Sequence, residues 1–316
     1  MKNSILLGGI EAGGTKFNCV IATGPDQVLE RERFPTSTPE ETIERTIAFF
    51  EDAARRHGSL GAIGLASFGP VGLNPAAKNF GHITATPKPL WSNTNILGRI
   101  QAALKVPMAF DTDVNGAAQG EACLGAARGL KNYIYVTIGT GVGAGVVSDG
   151  LPVNGAMHPE IGHMRVPRYL KAGDFAGGCP FHGDCIEGLI CGPSLEKRWG
   201  ARAETLPADH IAWEIQAHYI ALMCWNLTLS YAPERIILGG GVMNQDHLFL
   251  KVRERFAELM NNYPCSAAGI CLDSFIVPPE LGASAGEVGA ILMAKRAYEA
   301  SRSEARMLRS HTRTTP

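Results

Sequence analysis

The sequence predicts an α/β fold built twice, as two domains, and three observations carry that reading. Its 316 residues amount to about two domains at the usual ~150 residues each. Apolar residues make up 45% of the chain, enough for a sizeable core. Short glycine clusters also fall between paired strand patterns twice, once near the start and once near the middle.

The first half opens with strands at residues 5–10, 16–22 and 28–34, the last two joined by the turn Thr23-Gly24-Pro25-Asp26, which gives an antiparallel meander. Thr38-Pro39-Glu40-Glu41 then starts a helix: Thr38 can cap it, Pro39 suits the first turn and Glu41 stands three residues on. That helix runs to about His57 with Ile43, Ile47 and Phe50 on one face. A strand at 62–66, a glycine-proline loop, a helix at 96–104 and a strand at 107–110 complete the first half. The second half repeats the theme. Strands at 132–138 and 143–148 pair around their own glycine turn, helices at 208–232 and 245–260 flank a short buried strand at 235–238, and a helix at 283–299 closes the fold. Residues 301–316 hold four arginines and no apolar periodicity, and read as a frayed tail.

Composition removes several classes of function. With 29 basic and 30 acidic residues the formal net charge is −1, and only 19% of residues are charged. That excludes a disordered polyelectrolyte, and it leaves no electrostatic case for nucleic acid or an anionic membrane as partner. The longest weakly polar stretch, 134–147, is broken by glycines and is shorter than the ~20 residues that span a bilayer. Residues 1–9 lack the longer apolar region and cleavage site of a signal peptide, so a cytoplasmic protein is expected. Eight cysteines are too few for a disulfide scaffold, and Cys19, Cys123, Cys191, Cys224, Cys265 and Cys271 read as small buried hydrophobes. A metabolite-sized partner is the expectation that remains.

The segment Gly9-Ile10-Glu11-Ala12-Gly13-Gly14-Thr15-Lys16 places a carboxylate, two glycines and a hydroxyl in the turn between the first two strands. Bare amides in such a turn can cradle phosphate. A carboxylate there would repel a naked phosphate, which points to Mg2+ or its water shell between them; an ordinary glycine hairpin is the alternative. A second cluster, Thr137-Ile138-Gly139-Thr140-Gly141-Val142-Gly143-Ala144-Gly145, again sets glycines and hydroxyls between strands. Strand rather than helix pattern follows it, so it is not a dinucleotide-binding G-x-G-x-x-G, and the absence of G-x-x-x-x-G-K-S/T excludes a P-loop. The third cluster, Gly239-Gly240-Gly241, ends a buried strand and opens a helix, where glycines let a nucleotide lie close to backbone.

Three such clusters in one duplicated α/β chain resemble the pattern of the actin-like sugar kinases. From about residue 7 to residue 295 the chain resembles the ROK-family sugar kinases, and within them the zinc-containing bacterial fructokinases. The resemblance implies an actin-like ATPase (ribonuclease H-like) duplicated fold with an active-site cleft between two domains. These would be an N-terminal α/β domain, residues 1–112, completed by a C-terminal helix at about 284–300, and a C-terminal domain, residues 113–283, with a zinc-binding loop at 158–187. Glu11, Gly13, Gly14, Thr15 and Lys16 match the first phosphate motif, Thr137, Gly139, Thr140 and Gly141 the second, and Gly239, Gly240 and Gly241 the adenosine motif. The family's usual acid in the first motif is Asp; Glu11 is one methylene longer, as in the fructokinase branch.

The activity implied is ATP- and Mg2+-dependent phosphorylation of a free hexose at its 6-hydroxyl, D-fructose to D-fructose 6-phosphate, with glucokinase or mannokinase activity as the alternative within the family. Such a transfer needs a carboxylate to accept the hydroxyl proton. Phe110-Asp111-Thr112-Asp113-Val114-Asn115-Gly116-Ala117-Ala118 is similar to the family's N-D-x-N-A-A segment, with Asp113 at the base position. Helix capping is the other use of an Asp at a helix start. Thr112 stands where the family often has a sugar-contacting Asn. For the sugar the resemblance points further to Gly69 and Pro70 in the Ser67-Phe68-Gly69-Pro70 loop, to Glu160 and to Glu187. The Thr84–Trp91 stretch is similar to a substrate-side loop in which Leu90 replaces a frequent glycine; Trp91 is read either as packing or as sugar contact. Closure of the domains over the sugar is expected to exclude water.

Cys179-Pro180-Phe181-His182-Gly183-Asp184-Cys185, with His163 upstream, offers two thiolates and two imidazoles, a closed tetrahedral set for structural Zn2+. Unliganded turn residues are the alternative. His182 replaces the middle cysteine of the family's three-cysteine pattern, as in the fructokinases. The ion would pin the loop bearing Glu187 to the segment bearing Glu160 and His163, and His163 would face the sugar through its second ring nitrogen. His158 has no place in that set. A homodimer is the usual state of such relatives. The rival from another class is a non-catalytic, sugar-sensing ROK repressor, whose helix-turn-helix precedes the first glycine motif; here that motif begins at Gly9, which leaves no room for one.

Overall fold

The structure is a computed structural model and describes residues 5–261, 263 and 270–311. Along the chain run β1 (Leu6–Ala12), β2 (Lys16–Gly24), β3 (Gln27–Pro35), α1 (Pro39–His57), β4 (Leu60–Ser67), the two-residue strands β5 (His82–Ile83) and β6 (Thr94–Asn95), α2 (Ile96–Leu104), β7 (Met108–Thr112) and α3 (Asp113–Leu124). There follow β8 (Tyr133–Ile138), β9 (Val142–Ser148), β10 (Leu151–Pro152), α4 (Ile186–Ile190), α5 (Gly192–Trp199), α6 (Ile211–Tyr231), β11 (Arg235–Gly239), α7 (Asp246–Met260), α8 (Leu272–Phe275), β12 (Ile276–Val277) and α9 (Ala285–His311). They form two compact units. One takes the residues up to Gly120, Gly155–His158 and those from Ala283 on; the other takes Glu121–Asn154 and Pro159–Gly282. No described helix is long and apolar enough to cross a membrane.

In the first unit the sheet runs β3-β2-β1-β4-β7. β1 to β3 form the antiparallel meander read from the sequence, and β4 and β7 add in parallel. The helix start at Thr38 is as expected: its Oγ1 accepts from Glu41 N at 3.3 Å. Glu40 and Glu41 in the first turn and Arg55, Arg56 and His57 in the last complement the helix dipole. α1 and α2 contribute Ile43, Phe50, Ile96 and Ile100 to a core with Ile10, Phe17 and Leu65. Burying a side chain such as Phe50 stabilises by roughly 1.5–3 kcal/mol. α9 packs on β1 and β4. It comes so close that a Cβ on Gly64 would overlap the Ala290 carbonyl, which leaves glycine as the residue that fits.

The second unit repeats the plan, with strand order β10-β9-β8-β11-β12. β8 and β9 pair antiparallel, and β11 joins β8 in parallel. α6 is buried on nearly every face, including Trp213, Tyr219, Ile220 and Leu227, and lies in the core with Phe249, Val252 and Phe256 of α7.

Three sequence expectations are corrected. The last helix continues to His311, so residues 301–311 are helical rather than frayed; Glu, Ala and Arg favour helix without an apolar face, and Ser301 and Ser303 bond the carbonyls of Tyr298 and Glu299. Residues 312–316 lie outside the described residues. Cys19, Cys191 and Cys224 are buried, but Cys123 is half-buried and Cys271, just before α8, is exposed; Cys265 lies outside the described residues. Glu11 belongs to strand β1 rather than to the turn, which is confined to residues 13–15.

Candidate functional site

In the first unit, strand pairing sets Glu11 opposite Asn18, whose Nδ2 donates to Glu11 Oε2 at 2.6 Å. Burial pushes the Glu11 carboxyl up to about 7; the Asn18 bond opposes this, while the charges of Asp113 and Glu287 add to it. A carboxyl in that state is a ready partner for a cation. The turn after it closes on itself, Gly13 N donating to Lys16 O at 2.9 Å. Thr36, a residue the sequence did not single out, locks it from outside: its Oγ1 donates to Gly13 O at 2.7 Å and its N to Thr15 O at 2.9 Å.

β7 runs straight into α3 with no loop, so Asp113 is the first residue of the helix. The cap is Thr112, buried, whose Oγ1 accepts from Asn115 N at 3.1 Å. Asp113 is thereby released from capping, although its Oδ1 accepts from Val114 N at 2.9 Å. Burial pushes its carboxyl up to about 6, against that backbone bond. Asp111, not singled out by the sequence, braces the corner: its Oδ1 accepts from Thr112 N and from Asn115 Nδ2, both at 2.7 Å.

The loop after β4 is held at both ends. Phe68 N donates to Ala12 O at 2.7 Å, Pro70 O accepts from Thr84 N at 2.7 Å, and Val71 N donates to His158 Nε2 at 3.1 Å. Trp91 is buried, donates from Nε1 to Ser37 O at 2.8 Å, and sits against the rings of Phe17 and Phe68, so it packs. Leu90, in the place of a frequent glycine, keeps the left-handed backbone at φ 71° and exposes its side chain.

In the second unit the glycine turn between β8 and β9 closes in the same way, Gly139 N donating to Gly141 O at 2.9 Å. Thr137 lies within β8. The second and third glycine clusters meet here: Gly240, at φ 90°, packs on the backbone of Ile138 too closely for any Cβ, and Gly241 follows beside Gly139. Glu187 in α4 turns out to be tied to this turn. Its Oε2 accepts from Val142 N at 3.0 Å, and a Cβ on Gly141 would stand 2.8 Å from that oxygen.

His163, Cys179, His182 and Cys185 converge, with one donor atom from each lying within 4.8 Å of the others. His163 Nδ1 is 3.5 Å from Cys185 Sγ and 3.8 Å from Cys179 Sγ, and His182 Nδ1 is 3.9 Å from Cys179 Sγ. A tetrahedral zinc ion, with Zn–S near 2.3 Å and Zn–N near 2.1 Å, separates its donors by about 3.5–3.8 Å, so the set fits such an ion. Burial pushes the Cys185 thiol up to about 11, which disfavours a bare thiolate until a cation neutralises it. The hairpin is tight: Cys179 and Gly183 exchange backbone hydrogen bonds of 3.1 and 3.0 Å. The outer nitrogen of His163, Nε2, is 3.9 Å from Glu160 Oε2, near but beyond hydrogen-bond distance.

The ROK family model matches residues 7–297. A fructokinase of Pediococcus pentosaceus is 45% identical over 295 residues, 93% of this chain and 99% of that protein. A fructokinase of Zymomonas mobilis subsp. mobilis is 43% identical over 93% of this chain and 98% of its own length. Among solved structures, a ROK hexokinase from Thermus thermophilus superposes with a TM-score of 0.75 at 26% identity, covering 93% of this chain and 99% of that one.

Proposed function

Because the chain belongs to the ROK family, we propose that it is an ATP-dependent hexose kinase that phosphorylates D-fructose, at the 6-hydroxyl, to D-fructose 6-phosphate. The observation that carries the chemistry is Asp113: a carboxyl at the head of α3, relieved of capping by Thr112 and pushed up to about 6 by burial. That value suits a general base working near neutral pH. Asp113 takes the 6-hydroxyl proton as the oxygen attacks the γ-phosphorus of ATP, and ADP leaves. Asp111 and Asn115 hold the corner that aims it.

Gly13, Gly14, Thr15 and Lys16, with Thr137, Gly139, Thr140 and Gly141, line the phosphates, and Gly239 to Gly241 lie along the adenosine. Glu11 would hold Mg2+, which would neutralise charge on the phosphates. Gly69, Pro70, Thr112, Glu160, His163 and Glu187 receive the sugar hydroxyls; Glu187 does so with the oxygen not bonded to Val142 N. His163, Cys179, His182 and Cys185 would hold a structural zinc ion, tying the ring of His163 to the start of α4, which bears Glu187. A homodimer, the usual state of such relatives, and a cytoplasmic location are part of this proposal.

The test is ADP release with ATP and Mg2+ across fructose, mannose, glucose and N-acetylmannosamine, before and after treatment with a zinc chelator. Preferential fructose turnover that falls on chelation is expected. Sugar binding without ADP release for any hexose would overturn the kinase reading, and undiminished turnover in zinc-free protein would overturn the role given to the ion.

A further inference from the structure

We infer that His158 is a positioning residue for the sugar loop, acting through its Nε2 as a hydrogen-bond acceptor. The inference rests on the reading of Gly69 and Pro70 as sugar-binding and adds to it a residue that neither touches sugar nor belongs to the metal set.

Residues 155–158 belong to the first unit, although the chain on both sides of them belongs to the second. Gly155, Ala156 and Met157 are exposed, and His158, 6% exposed, is the buried side chain of this four-residue excursion. Its Nε2 accepts from Val71 N at 3.1 Å. Its ring edge lies on Gly69, where a methyl group would stand 3.4 Å from Cε1. An imidazole accepting at Nε2 is neutral and carries its proton on Nδ1.

The loop it touches has other anchors on both sides of Val71: Phe68 N on Ala12 O and Pro70 O under Thr84 before it, and Gly72 N on His82 O after it. Without His158 the amide of Val71, a residue only 6% exposed, loses its partner, and the stretch from Gly69 to Val71 between those anchors is the part that shifts to find a new one. Glu160 follows His158 by two residues, so one short segment carries both the loop's prop and a sugar carboxylate.

The experiment compares His158→Gln, whose amide oxygen reaches about as far as Nε2, with His158→Asn, whose amide does not, and with His158→Phe, which keeps bulk and no acceptor. Steady-state kinetics for fructose and ATP are measured together with zinc content. Phe and Asn are expected to raise the fructose KM about tenfold, the usual worth of one buried hydrogen bond. Under the same change kcat, ATP KM and zinc content stay within about twofold, and Gln restores most of the fructose KM. If the Phe variant does not fold, the Gln and Asn pair still decides. Equal fructose KM in Gln, Asn and wild type, or a parallel rise in ATP KM, overturns the inference while leaving the kinase reading intact. A wild type without fructose-dependent ADP release overturns both.

Discussion

The two glycine turns occupy the same place in two sheets of the same order, yet they are built differently. In the first, the carboxylate is part of the hairpin: Glu11 sits in β1 and is held across the pair by Asn18. In the second, the hairpin is uncharged and its carboxylate arrives from elsewhere, Glu187 of α4 reaching Val142 N. The lock differs too, since Thr36 fastens the first turn through a hydroxyl while Gly192 N fastens the second by donating to Gly139 O at 2.8 Å. The same strand order thus carries different groups in the two units. The first unit holds the titrating groups Glu11 and Asp113; the second holds a backbone cradle braced by a loop that bears two thiols and an imidazole of the metal set.

If that division is right, removing the base has the largest effect. Asp113→Asn should lower kcat by roughly 10^3, within the range for a general base, while fructose still binds in a calorimeter. Turnover near the wild-type rate would place the base elsewhere. Glu187 tests the other half. Glu187→Ala should weaken nucleotide binding, measured without sugar, by about tenfold, because Val142 N loses its acceptor. Glu187→Gln, which keeps an acceptor, should weaken it far less; a nucleotide affinity unchanged in the Ala variant would mean that Glu187 serves the sugar alone.

The titrating groups also predict a pH dependence. Glu11 rises from 4.5 to about 7 and Asp113 from 3.8 to about 6 in the folded chain. Between those values the folded state holds protons that the unfolded state has released, so stability falls as pH rises and levels off above about 7. Melting temperatures of the nucleotide-free protein should therefore drop from pH 5 to pH 8, and the drop should shrink in Glu11→Gln; an unchanged slope in that variant would remove Glu11 from the account. The smallest effect separates the turns themselves. A Cβ at Gly14 meets only Phe68 at 3.9 Å, whereas at Gly141 it crowds Glu187 Oε2 at 2.8 Å. Gly141→Ala should cost about 1 kcal/mol in a denaturant titration and Gly14→Ala much less, the lost Glu187 bond being the difference.

The repeated hairpins and the helix start at Thr38 were legible because they depend on local chemistry: glycine in turns, a hydroxyl at a cap, alternation in strands. Cys179, His182 and Cys185 were legible from ligand type and spacing, His163 came with the family resemblance, and the four side chains do converge. What the sequence could not show depends on partners distant along the chain. Thr112 stood out as a replaced sugar contact, and only the direct passage from β7 into α3 reveals it as the cap. His158 lay beside the metal residues without a purpose because its partner, Val71, is 87 residues away. The signal for Thr36 was weaker still, a lone threonine at the end of a strand that bonds back to Gly13. The end of the last helix, residues 301–311, has no apolar face and so leaves no periodic signal in the sequence.

The close seat of α9 on β1 and β4 also bears on synthesis. The sheet of the first unit leaves the ribosome within the first 120 residues, but the helix that covers one face of it comes from residues after Ala283. At usual translation rates the wait is roughly ten to thirty seconds. During that time Gly9, Gly64 and their neighbours present a bare apolar surface shaped for a helix that has yet to be made, while the second unit, contiguous but for residues 155–158, can fold as it emerges. The nascent chain is therefore most exposed to chaperones and to aggregation through its oldest residues, and a ribosome stalled before residue 285 would strand the unit that bears Glu11 and Asp113.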